Sequence, residues 1–358
     1  MKGLENKSVA VTGCCGTVGG ELVRQLLEDY KVGELVGLDN NETEMFFLQQ
    51  GHKDHDNAKF FLSSIRDRER LIELFKGVDT VFHAAAYKHV SLCEHSPFDA
   101  VQTNIIGVKN VIEAAKECGV ERVIFTSSDK AVNPTNVMGT TKLMGERLMT
   151  AANCARKGEG PIYTSTRFGN VLGSRGSVIP IFLEQIRKGG PVTLTDRKMT
   201  RFIMSIKEAT NLVIDSSAYA KGGEIFVTKM PVIRIVDLAQ VMIDQMASHY
   251  GHKPENIEII TIGTKPGEKL YEELMSDEET GRTYELENYF AVLPSYRSLY
   301  REINYEYTGV VSTKVDNPYH SANEPALSQA ELSDFLQRNN LLEESLPARH
   351  PAERFWEA

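Results

Sequence analysis

The stretch VAVTGCCGTVGGELV, residues 9 to 23, decides the fold. It opens on a short apolar, β-branched run and closes on a helical pattern, with Gly13, Gly16 and Gly19 between them. Glycine at these positions lets the backbone turn tightly and approach a pyrophosphate, while the free N–H groups and aligned peptide dipoles of the helix start attract its charge. A glycine triplet alone marks many strand-to-helix turns; the strand before it and the helix after it select the phosphate-binding reading. Asp39 closes the next apolar run, ELVGLD, about 20 positions after Gly19, where a carboxylate accepts hydrogen bonds from ribose hydroxyls. That carboxylate repels a 2′-phosphate, and the neighbouring Asn40 and Asn41 bring no cation to offset it, so NAD is expected over NADP.

Outward from this stretch, strand-like runs at 8–13, 34–39, 59–64, 79–86 and 122–128 alternate with helical patterns at 17–30, 42–50, 68–75, 97–118 and 137–156, followed by a strand at 162–167. Alternation of this kind predicts an α/β, doubly wound parallel sheet of the Rossmann type. The pattern loosens near residue 170. Residues 1–170 are therefore expected to form the NAD-binding domain with the catalytic residues, and 171–358 a smaller α/β substrate lobe and C-terminal arm, with a soft boundary across which the chain is free to return. Helices at 177–188, 234–248 and 328–337 and strands at 224–228 and 257–262 are expected there. The last stretch, from about 277, carries the only tryptophan, Trp356, and reads as an arm packed on the body or on a neighbour.

Composition bounds the possibilities. The 358 residues are 41% apolar and 25% charged, with 40 Lys+Arg against 49 Asp+Glu and a net charge of −9. That profile is globular, and the acidic balance argues against sequence-independent nucleic-acid or anionic-membrane binding. No apolar run approaches the roughly 20 residues of a membrane helix, and the N-terminus lacks a signal-peptide core, so a cytoplasmic protein is expected. The five cysteines (Cys14, Cys15, Cys93, Cys118, Cys154) show no CxxC pair, and no metal site is expected. The Cys14-Cys15 pair reads as small residues in a glycine turn rather than as redox chemistry. His83 and His89 lack a partner at ligand spacing and read as core and loop residues.

TSSDKAVNPTNVMGTTK, residues 126 to 142, brings Ser127, Ser128, Asp129 and Lys130 to the end of the fifth strand and places Met138 and Lys142 four apart on one helix face. At these residues the chain resembles the extended short-chain dehydrogenase/reductases, and within them the nucleotide-sugar 4,6-dehydratases of polysaccharide biosynthesis, whose STDKA run corresponds to SSDKA at 127–131. HAAAYKHV (83–90), TNIIGVKNV (103–111), RFGNVLGSRGSVIP (167–180), MTRFIMS (199–205) and PGEKLYEEL (266–274) carry the resemblance through most of the chain. Two positions depart from the family pattern: Met138 stands where the superfamily has a proton-transferring tyrosine, as in some members of the dehydratase group, and Ser64 stands where an aspartate usually faces the adenine.

The resemblance implies an NAD-dependent lyase that converts UDP-N-acetylglucosamine to a 4-keto-6-deoxy sugar and water. It implies Asp129 as acid, Lys130 as a base of lowered pKa, Lys142 on the nicotinamide ribose and Ser128 on the C4 oxygen. Further cofactor contacts implied are Thr17, Val18, Asn40, Ser64, Ile65, Ala84, Ala85, Ala86, Lys88 and Ser127. For the UDP group it points to Asn170 and Arg201, the latter as a bidentate phosphate clamp, with Lys88, Val178, Thr195 and Glu268 as further contacts. A homo-oligomer is expected, with no nucleic-acid or membrane partner. The rivals are a nucleotide-sugar 4-epimerase on the same scaffold and a non-catalytic NAD-binding regulatory protein.

Overall fold

The computed structural model describes residues 3–155, 160–174, 177–263, 267–296 and 303–342. Trp356, Arg175, Gly176 and Pro266 lie outside them. The chain divides into two compact units: Met1–Phe168, Lys207–Lys229 and Leu274–Pro318 form the first, and Gly169–Ile206, Met230–Glu273 and Tyr319–Ala358 the second. The first crossing falls at Phe168, beside the soft boundary expected near 170, and the chain then re-enters the first unit twice.

The first unit is built on β1 (Ser8–Thr12), β2 (Glu34–Asp39), β3 (Ala58–Leu62), β4 (Thr80–His83), β5 (Arg122–Thr126) and β6 (Ile162–Arg167). All of these pair in parallel, in the order β6-β5-β4-β1-β2-β3. The strand 225–228 continues the parallel set beside β6. Val9, Ala10, Val11, Leu35, Val81, Val123 and Ile124 are buried, as a sheet covered on both faces requires. The crossover helices are α1 (Thr17–Glu28), α2 (Glu42–Gly51), α3 (Arg68–Phe75), α4 (Val90–His95), α5 (Pro97–Val101), α6 (Gly107–Glu117) and α7 (Val137–Ala155). Leu71, Phe75, Val108, Val111 and Ala115 of α3 and α6 pack together in one core cluster of this unit.

Three elements differ from expectation. The single long helix expected at 97–118 is two helices joined by a π-helical turn at Gln102–Ile106. Asn104, in that turn, is the cause visible in the contacts: its Nδ2 donates to the carbonyl of Tyr87 and to Thr141 Oγ1, and its Oδ1 accepts from the Tyr87 N–H. A widened turn is a common device where a helix carries a polar side chain to a site. The expected arm beyond 277 instead adds strands: 289–292 pairs antiparallel with 225–228, followed by 283–286 and 310–312. Glu287-Asn288 turns this hairpin between TYEL and YFAV, apolar-rich runs that read as strands once paired. Helix Ile206–Tyr219 went unread because serine, threonine and aspartate dilute its apolar face, although Leu212, Val213, Ser216 and Ser217 are buried.

The second unit gathers helices Val178–Arg187, Ile235–Met246 and Gln329–Arg338 on a core that includes Phe182, Leu183, Leu238, Met242, Leu332 and Leu336. Its three-stranded sheet orders 232–234, 200–204 and 170–171, and 192–194 pairs in parallel with 259–261. Among the described residues no helix is long and apolar enough to cross a membrane.

One buried ion cluster ties the first unit. The side chain of Arg167 is 1% exposed; its Nε and Nη2 donate to Glu146 of α7 at 3.0 and 2.7 Å, and Nη1 and Nη2 to Glu279 at 2.9 and 3.1 Å. Burial alone would raise the Glu279 carboxyl, but the charge and hydrogen bonds of Arg167 hold it down to about 2. Arg167→Met strands two buried carboxylates and is expected to cost about 3–5 kcal/mol. The measurement is the shift in urea midpoint; a midpoint within error of the parent would show that the carboxylates find other partners.

Candidate active site

Parallel strands point their carboxyl ends the same way, so the loops after β3, β2, β1, β4 and β5 share one edge in that order. The edge therefore carries Ser64, Asp39, the glycine loop, Ala84–Ala86 and the 127–130 segment side by side. The strand order reverses between β1 and β4, the switch point where doubly wound sheets bind ligands.

The glycine loop fits a pyrophosphate for a steric reason. Gly13 has φ 72°, and a Cβ there would lie 2.6 Å from the Ala85 nitrogen; a Cβ on Gly19 would lie 2.0 Å from the Gly13 carbonyl oxygen. Any side chain at either position breaks the cradle. Gly16 caps α1 without a side-chain hydrogen bond, and the first turn, with Thr17 and Val18, carries no acidic residue, so the positive end of the helix faces the loop. The Asp39 carboxylate accepts from the Cys15 N–H at 3.1 Å and the Asn41 N–H at 3.0 Å, which fixes its orientation while leaving lone pairs for ribose hydroxyls. Asn40 is exposed beside it, Ser64 Oγ accepts from the Arg66 N–H, and Ile65 is buried. Two buried polar atoms near the strand ends, Ser127 Oγ and His83 Nε2, have no hydrogen-bond partner. The steric cradle, the oriented carboxylate and these two atoms fit a bound dinucleotide.

The segment after β5 gathers an acidic and a basic side chain. Ser128 Oγ donates to Asp129 Oδ1, and Lys130 Nζ stands 3.2 Å from both oxygens of Asp129. The Asp129 side chain is 1% exposed and that of Lys130 31%. Lys142 is buried; its Nζ donates to the Thr126 carbonyl at 3.0 Å and lies 4.8 Å from the centre of the Phe125 ring. Burial lowers Lys142 to about 8, with Glu146 and Cys93 acting in the opposite sense. α7 buries the Lys142 side chain against β5, while Lys130 stays half-buried and ion-paired with Asp129. His83 is pushed by burial, and then by Lys142, to about 3, and its Nδ1 is 2.7 Å from Thr12 Oγ1. Met138 sits in an apolar nest with Cys93 and Ala100, four residues before Lys142 on α7.

Several supporting residues were not read from the sequence. Asn104 and Thr141 join the π-turn to α7. Asn136 Oδ1 accepts from the Gly139 N–H and Glu94 Oε1 from the Val137 N–H, capping the start of α7. Asn136 is the one with a sequence signal, an Asn at a helix start; Asn104 lay inside the TNIIGVKNV run without a role.

In the second unit, Asn170 and Arg201 meet on a carboxylate that sequence reasoning missed, Glu272. Asn170 Nδ2 donates to it at 3.1 and 3.2 Å, and Arg201 Nε lies 3.2 Å from it. Arg201 also donates to the carbonyls of Thr200, Lys269 and Leu270 and stands 3.7 Å from Glu268, which accepts from Thr195 Oγ1. The expected phosphate fork is thus engaged with its own unit, where it holds the 268–272 segment. Val178, at the start of its helix, packs on the apolar core of that unit, and Lys88 is exposed on the loop after β4.

Fold and cradle define a dinucleotide-binding α/β protein. The chain belongs to the polysaccharide biosynthesis protein family, whose model matches residues 9–294. It is 51% identical over 81% of its length to an uncharacterized membrane protein of Methanocaldococcus jannaschii, covering 86% of that protein. It is 36% identical over 92% of its length to the inverting UDP-N-acetylglucosamine 4,6-dehydratase of Campylobacter jejuni, covering 97% of that protein, and 34% identical over 95% to the UDP-glucose 4-epimerase of Rickettsia canadensis, covering 98%. Among solved structures, Pen from Bacillus thuringiensis matches with a TM-score of 0.87 and 40% identity, covering 95% of this chain and 99% of that one.

Lys142 gives a direct check of the site's electrostatics. A lysine with its pKa lowered to about 8 is protonated below that pH and neutral above it, while an unperturbed lysine stays charged to about 10.4. Reductive 13C-methylation followed by an NMR pH titration, with Lys142→Arg for assignment, is expected to show one resonance turning near pH 8. A Lys142 resonance that titrates with the surface lysines would show that water reaches the ammonium.

Proposed function

We propose that this protein is an NAD-dependent nucleotide-sugar 4,6-dehydratase, a lyase that converts UDP-N-acetylglucosamine to its 4-keto-6-deoxy product and water. The observation that carries this reading is the contiguous acid-base pair Asp129–Lys130 beside the buried Lys142. When bound, NAD supplies acceptance of the C4 hydride and its return to C6. Gly13, Gly16, Gly19, Thr17 and Val18 hold its pyrophosphate, Asp39 and Asn40 the adenosine ribose, Ser64 and Ile65 the adenine side, and Ala84–Ala86, Lys88, Ser127 and Lys142 the nicotinamide half. The residual likeness to a 4-epimerase favours one competing reading, in which C4 is oxidised and reduced with no water lost.

The chain's own residues then divide the proton work. C4 oxidation releases a hydroxyl proton, and Met138, a thioether, cannot take it. Lys142, lowered to about 8 by burial, is the group of the cluster suited to accept it, with Ser128 hydrogen-bonded to the same oxygen. Elimination then needs a neutral base for the C5 proton and a protonated acid for the departing C6 hydroxyl. One proton shift within the Asp129–Lys130 pair creates both: Lys130 becomes the free amine and Asp129 the carboxylic acid. After Lys130 takes the C5 proton and Asp129 protonates the leaving oxygen, the pair is again ionic. The proton that Lys142 took from the C4 hydroxyl is the one returned to C5 as C6 is reduced, which resets all three groups. Asn170, Arg201, Thr195, Val178 and Glu268 are the proposed UDP contacts, together with Lys88. Leu92, Phe98 and Met144, exposed on the adjacent helices α4, α5 and α7, are the proposed self-association face.

Proton NMR of the protein with NAD and UDP-N-acetylglucosamine tests the proposal: a new C6 methyl signal is expected, whereas an inverted C4 proton alone would make it an epimerase. Each acid or base contributes about 10²–10⁴-fold, so Lys130→Met is expected to slow methyl formation at least 100-fold while NAD remains bound; near-normal turnover removes Lys130 from the mechanism. Because Lys142 must be neutral to accept a proton, single-turnover C4 oxidation should rise with pH through about 8 and level off above it. Met138→Tyr is expected to leave dehydration within a few-fold of the parent, and a gain on the order of 100-fold would show that a missing phenol limits the enzyme.

A further inference from the structure

The pairing of β1 with β2 brings two adjacent thiols to a carboxylate remote from them in sequence. Cys14 Sγ, Cys15 Sγ and an Asp39 carboxylate oxygen all lie within 4.8 Å of one another. Cys14 is buried and Cys15 half-buried, and neither is in a disulfide. We propose that Cys14, Cys15 and Asp39 form a binding site for a thiophilic divalent cation, zinc or cadmium in kind, whose occupancy excludes the dinucleotide.

Zinc binds thiolate at about 2.3 Å and carboxylate oxygen at about 2.0–2.2 Å. A tetrahedral ion therefore needs its ligand atoms roughly 3.5–3.8 Å apart, so ligation draws together three atoms that already lie within 4.8 Å of one another. The carboxylate is already oriented: the Cys15 and Asn41 N–H groups hold its two oxygens. Outer hydrogen bonds of this kind are what metal-ligating carboxylates usually carry. Three protein ligands leave one position for water, the arrangement of an open rather than a structural site. Cysteine beside cysteine in a glycine loop would be unremarkable without Asp39, which the β1–β2 register delivers: Thr12 lies opposite Leu38, so the loop after β1 faces the last residue of β2.

Exclusion follows from a shared atom. Asp39 is the proposed ribose acceptor, so an ion on it removes that contact; this half of the proposal rests on the NAD reading above.

Titration of the reduced, cofactor-free protein with cadmium chloride, followed by the ultraviolet thiolate-to-cadmium charge-transfer band, tests it. The expected result is a saturable band of one ion per chain, weakened at least tenfold in affinity by Cys15→Ser and by Cys14→Ser. Circular dichroism of each variant establishes that it folds, and Cys154→Ser serves as the control that keeps the band. No saturable band, or one that survives both loop substitutions, overturns the site. Repeating the titration with saturating NAD is expected to raise the apparent cadmium dissociation constant at least tenfold; cadmium and NAD bound together overturns the exclusion. NAD binding is measured separately by calorimetry without metal, so a protein that binds cadmium at these thiols but never NAD defeats the dehydratase reading and the exclusion while the ion site stands.

Discussion

The site depends on how closely α7 approaches the end of β5. A Cβ on Gly139 would lie 2.1 Å from the Lys130 carbonyl oxygen, so the helix sits against the Asp129–Lys130 turn at a distance only glycine permits. That contact places Lys142 one turn further along, where its ammonium reaches the Thr126 carbonyl and has little water left around it. Desolvation is what lowers a buried lysine, and a lone carbonyl does not restore the hydration lost. The electrostatic character of the site is thus a packing result first. Asn136, Glu94 and the Arg167–Glu146 pair hold the helix at both its start and its middle.

The same economy explains how a methionine fits at position 138. Met138 lies among Cys93 and Ala100, an apolar nest that a thioether fills without an unsatisfied polar atom. The charged groups of the site are set by their neighbours: Asp129 and Lys130 by each other, and Lys142 by burial. The cofactor side uses a different physical device. Gly13 and Gly19 act by absence of a side chain, and Asp39 by a carboxylate that two backbone N–H groups hold in place.

Legibility in the sequence followed the range of the interactions. The run ELVGLD is read and found at 34–39, and helices at 68–75 and 178–187 fall within a residue of expectation, because apolar periodicity is a local signal. The π-turn at 102–106 was not legible, since the bonds that open it come from Tyr87 and Thr141, remote in sequence. The hairpin 283–292 was legible in principle, as two apolar-rich runs around a two-residue turn, yet its place on the sheet was not. Arg201 shows what a site owes to the fold: its residue type suggests a phosphate fork, and only the structure shows the company it keeps, Glu272 and three carbonyls.

By itself the sequence determined the glycine cradle, the carboxylate that closes β2, the alternation that makes a parallel sheet and the adjacency of Asp129 and Lys130, because each is written in adjacent residues or a short period. Tertiary structure alone decided which lysine is desolvated, which carboxylate meets Arg201 and that two thiols face Asp39. Those outcomes turn on distances between strands and helices brought together by burial, and a chain read in one dimension contains no distance across the sheet.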